Sequence, residues 1–390
     1  MTKDDDRSSY ELMRLLAALA VAFMVVVAIE VRESPPDPIA VASLVASAEN
    51  AATTTVVPQP ASFSIAVTGE ILPHPSIVDY AARFGSASGR PYDFAPIFAD
   101  LAPVLKGTDL AICHLEVPVA PPGTELSGYP AFGIPADIGD GIAETGWDRC
   151  STASNHTNDR GTAGIRATLD ALDASNVGHS GTARTADEAA ALPIVDVRGV
   201  PVAHFSYTWG FNGTAPAESW MSDVIDPARI LADAAAARAQ GAQVVVVSLH
   251  WGVEYDTAGS GEQRQLADQL LSSPDVDLII GHGPHVIQPI VEMHRKYALL
   301  SVGNLVANQG RERPRTYDGT IVTFTFERDA AGNYVAAAPH ADATWYDRDA
   351  GRVRLVSTAL GTGIPNWLRD SLSDSRDRTA QVLGPLASVD

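Results

Sequence analysis

Two neighbouring pieces of the chain, 244-VVVVSLHWGVEY-255 and 276-VDLIIGHGPHVIQP-289, decide how the rest is read. Each is a run of branched apolar residues with the length of a buried strand, and each ends in histidine and a glycine-containing turn. The interval between them has helical character, so the unit is strand, helix, strand, the repeat of an α/β sheet. Imidazole at the end of a buried strand is a way of offering nitrogen to a metal ion. His250, His282 and His285 therefore enter as candidate ligands.

Working outward, the same alternation recurs on the N-terminal side. FSIAVTGE (63–70) and DLAICHLE (109–116) read as buried strands, GWDRCSTASNH (146–156) as a strand ending in a polar turn, and GTAGIRATLDALDASNV (161–177) as a helix. PARILADAAAARAQGA (227–242) is a helix feeding the Val244 strand, and Arg198-Gly199 marks a hairpin. Beyond Pro289, YALLSVGN, TIVTFTFERDAAGNYVAAAP and VRLVST read as strands with a Gly332-Asn333 turn. The expected architecture is α/β with mixed sheets, parallel early and antiparallel late. Residues 119–135, rich in proline and glycine, make a connection long enough to cover a site.

The strand ends carry the chemistry. Glu70, Glu116, Asn155 with His156, His250, and His282 with His285 each follow an apolar run. In an open α/β sheet the carboxyl ends of the strands meet at one crevice, which brings residues distant in sequence together. Carboxylate, amide oxygen and imidazole in one place suit one or two divalent transition-metal ions (Mn, Fe or Zn) better than Mg or Ca. No GxSxG elbow, glycine-rich phosphate loop or cysteine nucleophile is present, which argues against covalent catalysis. His74, His179, His204, His294 and His340 show no partners in the sequence and default to surface or core positions.

Composition sets the bounds. The 390 residues, 46% hydrophobic and 19% charged, are enough for one large core with appendages. A formal charge of -20 without Lys/Arg clusters excludes nucleic acid as a partner. Cys113 and Cys150 are the two cysteines, read equally well as a disulfide or as two buried thiols. Leu15 to Ile29 is an unbroken apolar run of 15 residues preceded by Arg14, Arg7 and Lys3. The run resembles an export signal, and no small-residue cleavage site follows closely. The expectation is a signal-anchor over residues 15–30, with a cleaved signal peptide as the alternative. Residues 1–14 would be cytoplasmic, 31–61 a disordered linker, 62–360 the folded domain and 361–390 a polar, helix-prone tail. The protein is thus expected at the cell membrane, single-pass, with an extracytoplasmic domain, or secreted if the signal is removed.

DLAICHLEVPVAPP, STASNHTNDRGTAGIRATLDALDASNVGHSGTART, SLHWGVEY and IIGHGPHVIQP followed by LLSVGN together resemble the CapA family of bacterial capsule-synthesis proteins associated with poly-γ-glutamate, within the calcineurin-like metallophosphoesterase superfamily. The resemblance covers residues 63–327. It implies a four-layer α/β/β/α sandwich of the metallo-dependent phosphatase type with its site at the strand ends. Carried onto this chain, it implies Glu70, Glu116, Asn155, His250, His282 and His285 as metal ligands. His156 would meet the substrate and protonate a leaving group, and Asp159 would orient it. The chain departs from the family pattern at three positions: Glu70 stands in place of the usual Asp, His114 in place of a common Asn, and Gly283 where many members have a histidine. Two activities follow as expectations. One is metal-dependent hydrolysis of a phosphoester or an amide-linked anionic polymer. The other is a non-catalytic polymer-binding subunit assembled with capsule-synthesis membrane proteins.

Overall fold

Odd and even residues of the apolar runs face different layers, and that alternation builds the molecule. A computed structural model describes residues 59–390, which form one compact unit. Its strands are β1 (Ser62–Ile71), β2 (Leu110–Leu115), β3 (Arg149–Ser151), β4 (Gly178–Ser180), β5 (Ile194–Val197), β6 (Val200–Thr208), β7 (Val244–His250) and β8 (Leu278–His282). They continue with β9 (Ile290–Met293), β10 (Lys296–Leu299), β11 (Asn304–Val306), β12 (Asp318–Arg328), β13 (Tyr334–Ala336), β14 (His340–Asp347), β15 (Arg352–Leu355) and β16 (Ser388–Val389). The longer helices are α1 (Pro75–Ser88), α2 (Ile138–Thr145), α3 (Gly161–Ala174), α4 (Pro227–Ala239), α5 (Gly261–Leu271) and α6 (Asn366–Leu383).

One sheet runs β15-β14-β12-β1-β2-β3-β4, and the other β5-β6-β7-β8-β10-β9. The strands β1 to β4 pair in parallel, as do β6, β7, β8 and β10. The late strands β12, β14 and β15 are antiparallel. Ile65, Val67 and Ile112 of the first sheet meet Val244, Val246, Leu278 and Ile280 of the second in one core. Their odd-numbered neighbours face away: Val245, Val247 and Ile279 pack on Ile230, Ala234, Leu270 and Leu271 of α4 and α5. On the far side of the first sheet, Ala66, Ala111 and Cys113 pack on Ile138, Ile142 and Leu172 of α2 and α3. The result is the four-layer α/β/β/α sandwich. Val244 to Val247 are all fully buried, each branched side chain contributing about 1.5–3 kcal/mol. A slip of one residue would exchange the two faces of β7 and forfeit that burial, so the register is fixed, and with it the direction of the histidine that follows.

Cys113 and Cys150 form a disulfide between directly paired positions of β2 and β3, with Cα atoms 4.4 Å apart. Residues 361–390, set apart in the sequence as a tail, include α6, whose Leu368 and Leu372 pack on Ala343 and Val356. There Arg378 donates to both carboxylate oxygens of Asp318 at 2.7 Å, and β16 pairs in parallel with β14.

The localisation expected from the sequence is corrected. Among the described residues no helix is long and apolar enough to cross a membrane. The apolar run at 15–30, the preceding 1–14 and the linker up to residue 58 lie outside the described residues. The single-pass arrangement with an extracytoplasmic domain is therefore not sustained.

Candidate metal centre

The period of two that fills the inter-sheet core continues to the strand ends and changes there from apolar to polar. On β7 the inward face reads Val244, Val246, Ser248, His250; on β8 it reads Leu278, Ile280, His282; on β2 it reads Leu110, Ile112, His114. His250 pairs with His282 across the ladder, and His114 with both Glu70 and Ser151. Three buried imidazoles therefore meet between the sheets. His114 Nε2 lies 3.0 Å from His250 Nδ1, and its ring stacks on that of His282 with centroids 4.1 Å apart at 12°. Burial first, and then the neighbouring imidazoles, hold all three well below the usual imidazole range. They are neutral, the form that ligates metal.

Beside them lie the carboxylates. The pairing of β1 with β2 shifts between Val67 and Glu70, where β12 gives way to β11 along the edge of β1. Gly69 is required there, since a Cβ would collide with the Gly303 carbonyl. Glu70 Oε1 accepts from the Gly283 N–H at 2.5 Å, and Oε2 meets His285 Nδ1 at 2.5 Å. Glu116 Oε2 is 3.9 Å from the same Nδ1, and Asn304 Oδ1 is 3.1 Å from it. Ligand atoms of Glu70, Glu116 and His285 all lie within 4.8 Å of one another. Burial pushes the Glu116 carboxyl up to about 7, with His285 opposing and Glu70 adding to the effect. Burial alone would depress His285, but Glu70 and Glu116 outweigh it and raise the imidazole to about 10.

Whether these residues suit a cation is tested by their unmet bonding. Both Glu116 oxygens, Asn155 Oδ1 and both His282 nitrogens are buried with no hydrogen-bond partner among the described residues. A buried carboxylate left bare costs several kcal/mol, and native structures rarely tolerate one. The bare Glu116 oxygens lie in the cluster of Glu70 and His285, and with Asn155 Oδ1 and one nitrogen of His282 they are the mixed O and N donors that a divalent ion takes. The structure thus brings Glu70, Glu116 and His285 into one cluster and packs His250 and His282 around His114. Gly283 takes part through its backbone. At φ +109° its Cβ would stand 2.6 Å from the Trp251 carbonyl, so glycine alone places this N–H on Glu70.

Next to the cluster, His156 Nδ1 donates to Asp159 Oδ2 at 2.6 Å, which also accepts from the Phe132 N–H at 2.8 Å. The Phe132 ring meets His156 edge-on at 4.9 Å, bringing the 119–135 loop to the site. On the other side Asn212 Nδ2 lies 3.4 Å from His156 Nε2, and the Asn212 N–H donates to the Asn155 carbonyl at 2.7 Å.

Sequence reasoning missed four residues here. His114 was readable from the alternation of β2. Asn304 and Asn212 arrive through long-range pairing that no local pattern announces. His74, assigned no partner from the sequence, packs edge-on against Phe132 at 5.3 Å and accepts the Asn308 N–H at Nδ1, 3.1 Å away. The same Nδ1 is 3.1 Å from the Leu72 carbonyl, and burial lowers the imidazole to about 4, so it is neutral.

The family model described as bacterial capsule synthesis protein PGA_cap matches residues 64–309. A relative from Bacillus subtilis (strain 168), the PGA biosynthesis protein CapA, is 30% identical over 187 residues, covering 47% of this chain and 48% of its own. The capsule biosynthesis protein CapA of Bacillus anthracis is 26% identical over 276 residues, covering 67% and 63%. The chain therefore spans between about half and under two thirds of the length of these curated relatives. Among solved structures, the NAD nucleotidase of Haemophilus influenzae matches with TM-score 0.46 at 11% identity, over 85% of this chain and 58% of that one. A calcineurin-like phosphoesterase from Bacillus subtilis matches with TM-score 0.40 at 13% identity, over 83% and 98%. Neither structural likeness bears on the chemistry of the site.

Proposed function

The chain belongs to the bacterial capsule synthesis protein PGA_cap family, and from that premise we propose that it is a metal-dependent hydrolase of phosphoester or amide bonds acting in capsule or poly-γ-glutamate metabolism. The observation that carries this reading is the buried Glu70–Glu116–His285 cluster, in which neither Glu116 oxygen has a hydrogen-bond partner. Glu70, Glu116, Asn155, His250, His282 and His285 would hold one or two ions of Mn, Fe or Zn. A bound ion of this kind acidifies water toward neutral pH and stabilises negative charge developing on a phosphoryl or carbonyl oxygen.

The remaining steps belong to the chain's own residues. Asp159 takes the Nδ1 proton of His156 as a hydrogen bond and fixes the ring, so proton exchange is confined to Nε2. From there His156 would protonate the leaving group, and once the proton is given up the Asn212 amide can donate to the bare Nε2. Phe132 and the loop around it limit the access of water to this face. The substrate is an anionic polymer or a phosphoester, whose charge the cation offsets in a chain of formal charge -20. The test is manganese-supported cleavage of a chromogenic phosphodiester and of a γ-glutamyl oligomer. Loss of activity in Glu116→Ala and His250→Ala is expected, and wild-type rates in both variants would refute the reading.

One observation favours a second reading, a non-catalytic polymer-binding subunit. Both Glu70 oxygens are already taken by Gly283 and His285, an arrangement that closes the site without a cation. Polymer binding that persists in chelator, with no turnover of either substrate, would select it.

A further inference from the structure

Ser151 and His114 lie behind the expected ligands, and the hydrogen bonds they make have a direction that can be worked out. The Cys113 carbonyl can only accept, and Ser151 Oγ is 3.2 Å from it. The same Oγ is 2.8 Å from His114 Nδ1, and His114 Nε2 is 3.0 Å from His250 Nδ1. A hydroxyl has one hydrogen, so one order of protons satisfies all three contacts. Ser151 donates to Cys113, His114 Nδ1–H donates to Ser151, and His250 Nδ1–H donates to His114 Nε2. The reverse order leaves two oxygens facing each other without a hydrogen between them. It also moves the single N–H proton of His250 to Nε2, for which no protein acceptor stands among the described residues.

We propose that Ser151 and His114 order the protons of the imidazole cluster so that His250 presents a bare Nε2 to the cation. Both nitrogens of His114 are used by this chain of bonds, which makes it a positioning residue and not a ligand. Its ring has a second task. Stacked on His282 at 4.1 Å, it holds the plane of an imidazole whose nitrogens have no other partner. One side chain thereby sets the tautomer of one expected ligand and the orientation of another, the office that partners behind a metal ligand perform. The proton order stands on geometry alone, and its consequence for the cation rests on the metal-centre reading above.

Two measurements on the full chain test it. In 15N-histidine-labelled, metal-free protein, long-range 1H–15N spectra should show His250 protonated at Nδ1 and bare at Nε2, and the opposite tautomer overturns the proposal. Manganese dissociation constants, read by competition with a chelator, should rise about 10–100-fold in His114→Phe, which keeps the ring, and about tenfold in Ser151→Ala. Wild-type affinity in both variants, with affinity lost in Glu116→Ala, would overturn the relay while leaving the metal centre standing. If the wild-type chain takes up no cation, the metal reading fails instead, and the spectra alone decide the proton order.

Discussion

Glu116→Gln removes a carboxylate charge while keeping the side chain's shape, and the protein should respond in opposite senses with and without metal. In the metal-free chain Glu116 is fully buried with neither oxygen partnered, and burial raises its carboxyl from 4.5 to about 7. The folded chain then holds this proton more tightly than the unfolded chain. The stability so gained is complete below about 4.5 and is lost as pH climbs to about 7. At about 1.36 kcal/mol per pH unit the loss is about 3 kcal/mol. His285, depressed by burial but raised by Glu70 and Glu116 from 6.5 to about 10, adds a loss of the same sign across that higher window. Glutamine cannot ionise. In chelator at pH 8 the variant should therefore melt a few degrees above wild type, and the two should converge at pH 5. Manganese should reverse the order, because wild type gains binding free energy and the variant does not. Thermal unfolding followed by circular dichroism at pH 5, 6.5 and 8, in chelator and in manganese, reads all of this. Identical pH profiles in chelator, or equal stabilisation of both proteins by manganese, would refute the reasoning.

Three further outcomes are expected. His156→Ala and Asp159→Asn should lower phosphodiester turnover by about a hundredfold or more with metal content unchanged; parallel loss of metal would place the pair inside the centre. Gly283→Ala puts a Cβ 2.6 Å from the Trp251 carbonyl at φ +109° and should cost about 1–3 kcal/mol in denaturant unfolding, with metal affinity reduced as the N–H leaves Glu70. An unchanged midpoint would mean that this strand end moves freely. Replacing Cys113 and Cys150 by serine opens a cross-link spanning 37 residues and should lower stability by about 2–4 kcal/mol, a loss that denaturant titration of the oxidised and reduced chain would show or exclude.

The parts of this molecule legible in sequence were those governed by short-range periodicity. The Val244 run could be read as a buried strand ending in histidine, and the turn from apolar to polar could be read at five strand ends, whereas the inward face of Val244, Val246, Ser248 and His250 is set by the sheet packing. His114 obeyed the same rule, since Leu110 and Ile112 precede it on the inward face, yet its role depends on Ser151 and His250, which only the parallel pairing of β2 with β3 and the stacking of the two sheets bring near. Asn304 reaches His285 because β11 replaces β12 beside β1, an exchange made possible by Gly69 and Gly303 and unmarked by any local signal. Gly283 looked like a missing ligand. Its N–H is in fact a donor to Glu70, a function that backbone performs and side-chain reading cannot see. The C-terminal residues looked like a tail because α6 is largely polar. Its apolar contacts, Leu368 and Leu372 at one end and Leu383 at the other, and the Arg378–Asp318 pair are what dock it.

The central claim is that the buried, unpartnered atoms of Glu116, Asn155 and His282 exist to hold a cation. Elemental analysis of the purified full chain, as isolated and after chelation and reloading with manganese, tests this most directly. The account predicts one or two transition-metal ions per chain, absent from Glu116→Ala and His250→Ala. A wild-type chain that holds no metal under either condition, and whose unfolding is the same with and without chelator, would contradict it.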